Sequence, residues 1–261
     1  MSAIGVFDSG VGGLTVLRAL RERWPGEDFI YLADTARLPY GSKSLDTIYH
    51  YADQNIQHLL KYDVKAVVVA CNSASTAILE KPIQCKVPVL NVVEPGAKRA
   101  VETSSGGRIA VFGTRATVLS EAYVKAIHKL NPDADVVQQA CPLLVPLVEE
   151  GWFDDPITNL IVYRYVQAVA RHMPDTLILG CTHYPALQNS IQRAIGGHVN
   201  LVDSSQGVID QLSAGLLSEA SDQKNGSTRI LCTDFSPRLG ETIDLLLGEQ
   251  NEISVETVNI G

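Results

Sequence analysis

Two patterns of apolar residues alternate along the chain. Short unbroken runs such as Ala66–Ala70 (AVVVA) are typical of strands that are buried on both faces of a parallel sheet. Longer segments such as Leu45–Tyr62 carry apolar residues at positions 48, 52, 56, 59 and 60, which predicts an amphipathic helix. This alternation of strand and helix patterns predicts an α/β fold with parallel-rich sheets.

Two strand-to-loop junctions occur twice in the sequence. The segment Ile4–Ser9 (IGVFDS) aligns with Ile109–Thr114 (IAVFGT) at a shift of 105 positions, and Cys71 precedes Cys181 by 110 positions. Each of the two cysteines directly follows an apolar run. The nearly equal shifts predict two similar α/β halves, each with one thiol at the carboxyl end of a strand, where ligands of open α/β sheets bind.

The boundary between the halves is expected where the apolar pattern is interrupted. Glu94–Gly106 is charged and rich in serine and glycine, and we place the first crossing between the halves there. The last predicted strand, Ile253–Ile260, is expected to return to the first half. We therefore predict a first domain of residues 1–97 with 208–261 and a second domain of residues 98–207.

Composition narrows the class of protein. The 261 residues include 21 basic and 29 acidic side chains, and the formal net charge of −8 argues against a general nucleic-acid or anionic-membrane surface. No apolar run approaches the roughly 20 residues of a membrane span, and the first residues lack a signal-peptide pattern. The five cysteines are widely spaced without a CxxC pair, which argues against disulfides or a zinc site and favours a reducing cytoplasm.

The two repeated cysteines are the main candidates for chemistry. Cys71 is predicted to lie at the amino end of a helix, where the positive helix end favours a thiolate. A single cysteine in this position is more often a small core residue, but a second one at the corresponding place favours a role in chemistry for both. Two thiols that face one carbon can remove a proton from one side and deliver a proton to the other, which inverts the centre.

Other side chains are candidates to assist the thiols. Asp8 ends the first strand, where it fits either a helix cap or a carboxylate of the site. His183 lies two residues after Cys181, although isolated histidines are more often hydrogen-bond partners than catalysts. Glu149 and Glu150 are neighbours on a short predicted helix, so only one of them points inward, and we favour Glu149.

Four segments of the chain form a distinctive set in this order. They read FDSGVGG at 7–13, ADTARLPYG at 33–41, ACNSAS at 70–75 and LGCTHYP at 179–185. Together they resemble the cofactor-independent aspartate/glutamate racemase family, in the branch that acts on glutamate. The resemblance implies two domains related by a pseudo-twofold, an active site in the cleft between them, and interconversion of L- and D-glutamate without pyridoxal phosphate or metal.

The resemblance also implies roles for individual residues. Cys71 is expected to take the α-proton of D-glutamate with help from Asp8, and Cys181 that of L-glutamate with help from Glu149 and His183. The residues expected to hold the amino and carboxylate groups of the substrate are Asp8, Ser9, Tyr40, Gly41, Asn72, Ser73, Thr182 and His183. Ser73 stands where the family usually has threonine, and it keeps the hydroxyl group.

The biological setting follows from the same resemblance. A cytoplasmic isomerase of this kind supplies D-glutamate for peptidoglycan, and therefore for cell-wall synthesis and cell shape. We expect no nucleic-acid or membrane partner, and the oligomeric state is open, with a homodimer as one option. Because the chain starts at its first strand, without the extension that some relatives carry, we also expect no activation by a peptidoglycan precursor.

Two alternative functions stay open at this point. An aspartate racemase or a related thiol enzyme would act on another small acid. A two-lobed binding module would hold a dicarboxylate and keep both thiols inert.

Overall fold

The computed structural model describes residues 2–217, 226–247 and 253–260. Its strands are β1 (Ala3–Asp8), β2 (Phe29–Ala33), β3 (Val64–Val69), β4 (Val89–Asn91), β5 (Arg108–Gly113), β6 (Asp135–Ala140), β7 (Thr176–Gly180), β8 (Asn200–Asp203), β9 (Thr228–Cys232) and β10 (Ile253–Thr257). Its α-helices are α1 (Leu14–Arg23), α2 (Leu45–Leu59), α3 (Asn72–Glu80), α4 (Val93–Thr103), α5 (Arg115–Leu119), α6 (Ala122–Leu130), α7 (Leu144–Glu149), α8 (Pro156–Ala170), α9 (Gln188–Ile195), α10 (Ser204–Gly215) and α11 (Pro237–Leu247). None of these helices is long and apolar enough to span a bilayer.

The strands form two parallel sheets. The first has the order β10-β9-β2-β1-β3-β4, and the second has the order β6-β5-β7-β8. All strand pairs in both sheets run parallel. The order β2-β1-β3-β4 therefore recurs as β6-β5-β7-β8, and the prediction of two similar α/β halves is confirmed.

The apolar run of β3 is buried on both sides of the first sheet. Ala66 and Val68 pack in the core cluster that contains Leu14 and Leu17 of α1. Their neighbours along β3 point to the opposite face, where Val67 packs in the core cluster formed with α2. A strand between two helical layers has no solvent-facing side, which is why its sequence shows no apolar–polar alternation.

The chain crosses between the sheets through a helix. The segment Glu94–Gly106, where the apolar pattern of the sequence is interrupted, consists mostly of α4. Val93, Ala97 and Ala100 are spaced by four and three residues and are buried in one cluster with Ile109 of β5. The buried face of α4 consists mostly of small alanine side chains, so it does not produce the pattern of bulky apolar residues from which a helix is predicted.

The carboxyl-terminal strands return to the first sheet, as predicted. β10 pairs with β9, and β9 pairs with β2. The second sheet is instead built from one continuous stretch, residues 108–203. The domain boundaries at residues 97 and 207 stay a prediction.

Candidate active site

The carboxyl ends of the central strands in both sheets open onto one cavity of about 190 Å³, called the front cavity here. This volume is below the roughly 300–1,000 Å³ of pockets for drug-sized ligands, so the cavity fits a small molecule. Its wall consists of Ser9, Gly10, Leu38, Pro39, Tyr40, Gly41, Ser42, Cys71, Asn72, Ser73, Thr114, Arg115, Pro142, Val145, Pro146, Glu149, Cys181, Thr182 and His183. The structure thus brings both predicted thiols to one space.

Cys71 immediately precedes α3 and is almost completely buried. Its Sγ lies 3.6 Å from Oγ of Ser9. Burial and the nearby carboxyl group of Asp8 raise the pKa of Cys71 to about 12, against the opposing effect of hydrogen bonds from Ser9 and the Ala74 backbone. The amino end of α3 lowers this pKa through the N–H of Ala74, in the direction that the sequence predicts, but burial and Asp8 outweigh it and favour the protonated thiol.

Cys181 lies beside a histidine and a glutamate. Its Sγ is 3.9 Å from Nδ1 of His183, and Nε2 of the same ring is 3.4 Å from Oε1 of Glu149. Burial lowers the pKa of His183, but the hydrogen bonds to Cys181 and Glu149, with the charge of Asp8, raise it to about 10. The imidazole is therefore cationic at neutral pH. Glu149 lines the cavity, whereas its neighbour Glu150 is exposed.

Asp8 connects the two halves behind the cavity wall. It is fully buried, its Oδ1 accepts the N–H of Gly10 at 2.9 Å, and its Oδ2 accepts the hydroxyl of Thr182 at 3.1 Å. Burial raises the pKa of Asp8, while the charge of His183 opposes this change. The N-cap position of α1 is Gly13 and no side chain caps this helix, so the helix-cap role predicted for Asp8 is wrong. Asp8 instead binds its own loop at Gly10 and acts electrostatically on His183 and Cys71.

Asn72 and Ser73 contact residues of the second half that the motifs do not include. Nδ2 of Asn72 donates to the hydroxyl of Tyr123 at 2.8 Å and to Oγ of Ser204 at 3.2 Å. The Oγ of Ser73 lies 2.9 Å from Oγ1 of Thr114. Sequence reasoning missed Tyr123, Ser204 and Thr114, although Thr114 aligns with Ser9 in the internal repeat and could have been found from it.

The Pro39–Gly41 turn packs tightly against the second half. Tyr40 is buried, its hydroxyl donates to Asp34, and Nδ2 of Asn55 donates to that hydroxyl at 3.0 Å. The tyrosine hydroxyl is thus engaged with the first half, which leaves the ring and backbone to face the cavity. A Cβ at Gly41 would lie 2.6 Å from Cβ of Thr114, so only glycine allows this approach.

Arg115 is the remaining charged side chain of the cavity wall. It is exposed at the first position of α5, and among the wall residues of the front cavity it is the only arginine or lysine. The sequence motifs gave no indication of it. Within the described ranges, no group of three or more histidine, cysteine, aspartate or glutamate side chains is arranged to hold a metal ion.

The fold and site correspond to a known family. Residues 4–212, which include both cysteines of the cavity, match the family described as Asp/Glu/Hydantoin racemase. The chain belongs to this family, and it is therefore an isomerase.

Individual relatives within the family are close. The chain is 49% identical to a glutamate racemase of Geobacter metallireducens over 205 residues, which cover 78% of this chain and 76% of the relative. It is 44% identical to a glutamate racemase of Neisseria meningitidis over 264 positions, which cover 99% of this chain and 97% of the relative. A crystal structure of glutamate racemase from Francisella tularensis in complex with D-glutamate superposes with a TM-score of 0.91 at 34% identity, over 99% of this chain and 98% of that one.

Proposed function

We propose that the chain interconverts L- and D-glutamate by two proton transfers at the front cavity. The observation that carries this proposal is that Cys71 and Cys181, one from each half, line the same cavity after corresponding strands. The choice of glutamate as the proposed substrate rests on the relatives, which are glutamate racemases and include one crystallised with D-glutamate.

The charges around the two thiols differ and suggest a starting state. The cationic ring of His183 lies 3.9 Å from Sγ of Cys181, where it stabilises negative charge. The carboxyl group of Asp8 acts in the opposite sense on Cys71 and favours its protonated form. This arrangement suits L-glutamate, because Cys181 then removes the α-proton and Cys71 delivers its own proton to the opposite face.

Catalysis in the other direction reverses these roles. Cys71 removes the α-proton of D-glutamate, and Cys181 delivers a proton to the opposite face. Asp8 assists at the first thiol, while His183 and Glu149 assist at the second. In both directions one thiolate is consumed and one is formed, so no other proton donor has to enter the cavity during the transfer.

The neutral groups of the wall are proposed to hold the substrate. The two carboxylates and the ammonium group of glutamate can be bound by the hydroxyls of Ser9, Ser73 and Thr182 and by the amide of Asn72. The amino end of α3 provides further N–H groups for a carboxylate. Four further residues are proposed to contribute to substrate binding. Tyr40 contributes its ring and Gly41 its backbone, whereas Asp8 and His183 act through their charges.

The wider setting is part of the same proposal. The D-glutamate formed would serve peptidoglycan synthesis in the cytoplasm, and through it cell-wall formation and cell shape. Residues 1–97 with 208–261 and residues 98–207 are proposed as the two domains. A homodimer is compatible with this proposal but is not required by it, since both thiols come from one chain.

Incubation with L-glutamate in D₂O without added cofactor tests the activity. We expect optical rotation to decay to zero while deuterium replaces the α-proton. No change with L-glutamate, followed by no change with aspartate, would favour the dicarboxylate-binding module. A change with aspartate alone would reassign the substrate.

Substitution of each thiol tests the two-base assignment. Cys71→Ala and Cys181→Ala are each expected to lower the racemisation rate by about 10²-fold or more, because a positioned acid or base contributes at least that much. Cys85→Ala is the matched control, since Cys85 is not part of the cavity wall. Thermal unfolding confirms that each variant is folded. Substantial racemisation by either folded cavity variant would contradict the assignment.

A further inference from the structure

A second cavity shares part of its wall with the front cavity. This back cavity, of about 200 Å³, is enclosed by α1, the segment after β7 and the start of α10. Asn72, Cys181 and Thr182 belong to the walls of both cavities. Cys71 is not part of the back-cavity wall. The two thiols, which occupy equivalent places in the two halves, thus differ in what lies around them.

The back cavity is open to solvent and suited to water. Arg18, Glu22 and Gln188 on its rim are exposed. A cavity needs only roughly 10–15 Å³ of accessible volume to admit a water molecule, provided that polar groups are present to bind it. Such groups are available in the side chains of Asp203, Ser204 and Ser205, which are part of its wall.

We propose that the back cavity is a solvent route to Cys181 without a counterpart at Cys71. The proton on Cys181 then exchanges with water while glutamate occupies the front cavity, whereas the proton on Cys71 is kept. This inference rests on the proposed two-base racemisation and adds a kinetic difference between its two thiols.

The difference has a consequence for isotope exchange when L-glutamate is the substrate. Cys181 takes the α-proton, Cys71 delivers its own proton, which is a deuteron in D₂O, and D-glutamate remains bound beside a protonated Cys181 and a Cys71 thiolate. In D₂O the proton on Cys181 is replaced by deuterium through the back cavity. If the bound product then reverts, Cys71 removes the α-deuterium that it delivered and Cys181 returns deuterium to the opposite face, so the recovered L-glutamate is labelled.

The outcome differs when D-glutamate is the substrate. Cys71 then holds the proton from the substrate, and the bound product in the front cavity separates this thiol from water. Reversion returns the same proton, and the recovered D-glutamate stays unlabelled. Both products carry deuterium in either case, because each thiol exchanges with D₂O before substrate binds.

The test compares unreacted substrate from both directions. Each enantiomer is incubated separately with the wild-type protein in D₂O, the reaction is stopped at low conversion, and the enantiomers are separated for mass spectrometry. We expect severalfold more α-deuterium in recovered L-glutamate than in recovered D-glutamate at equal conversion. Equal labelling of the two, or more label in D-glutamate, would overturn the proposal. Absence of any product would instead refute the proposed function.

A variant that fills the back cavity gives a second, independent test. Ala19 of α1 lies in the wall of the back cavity and not in that of the front cavity. Ala19→Leu is expected to reduce the label in recovered L-glutamate to the level of D-glutamate, with racemisation retained. Ala126→Leu, on α6 beside a different cavity, is the matched control and should keep the wild-type ratio. Undiminished labelling in a folded Ala19→Leu protein would contradict the route, and the wild-type comparison holds whether or not this variant folds.

Discussion

A methyl group at Gly12 should disable the site without touching either thiol. Gly12 lies in the loop after β1, and a Cβ there would be 2.4 Å from Oγ1 of Thr182 and 2.5 Å from Nδ1 of His183. Ordinary van der Waals contact begins near 3.4 Å, so the two side chains would have to retreat by about 1 Å. The retreat would break the 3.1 Å hydrogen bond from Thr182 to Asp8 and displace the imidazole from Cys181.

The magnitudes for Gly12→Ala follow from this displacement. A misplacement of about 1 Å in a catalytic arrangement costs about 10²-fold in rate, so we expect a fall of that order in kcat/KM for glutamate. Overpacking of a filled interior costs about 1–3 kcal/mol. For a chain of this size, that corresponds to a drop in Tm of about 2–10 °C, which leaves the protein folded at assay temperature.

Two measurements on the same preparations test this reasoning. Racemisation is followed by circular dichroism of glutamate, and unfolding is followed by the far-ultraviolet signal. Gly197→Ala is the control, because a Cβ there has no atom within 4 Å. Wild-type activity in a cooperatively folded Gly12→Ala protein would refute the idea that this close approach positions Thr182 and His183.

Two other substitutions test the charges of the cavity. Arg115→Gln should raise KM for glutamate about fivefold at low ionic strength and leave kcat unchanged, since an exposed cation contributes about 1 kcal/mol to holding an anion and is screened by salt. Arg171→Gln removes the same charge outside the cavity wall, and an equal rise in KM there would contradict a local role for Arg115. Glu149→Gln replaces a charged hydrogen-bond acceptor of His183 with a neutral one, so the pKa of His183 should fall from about 10 toward 6.5 in an NMR titration of the imidazole. An unchanged titration would show that Glu149 does not control the protonation of His183.

The general fold and the two thiols could be predicted because their signals are local or repeated. The unbroken run before Cys71 defines a buried strand by itself, and the near-equal spacing of the repeats places Cys181 at the corresponding position. The helix α4 could not be recognised in the same way, because its buried face consists largely of alanines. Its burial depends on β5, which follows later in the chain.

The part of the site that could not be predicted from the sequence is formed by contacts between residues that are far apart in the chain. Asn72 bonds to Tyr123 and Ser204, which are 51 and 132 positions away, and no spacing rule links such residues. The protonation of Cys71 could be predicted only in part, for a related reason. The helix end is visible in the local sequence, but the burial and the charge of Asp8 that outweigh it arise only when the strands assemble.

The second sheet is formed by one continuous segment of the chain, and this determines which sheet can be completed first during synthesis. All four of its strands lie within residues 108–203, so the ribosome completes this sheet before β9 and β10 emerge. Until then β2 is an open edge of the first sheet, with unpaired backbone groups that can recruit another chain. All strands of the second sheet are therefore synthesised while the first sheet still lacks β9 and β10. A chain that ends before β9 would expose β2 as an unpaired edge strand, the kind of edge that promotes aggregation.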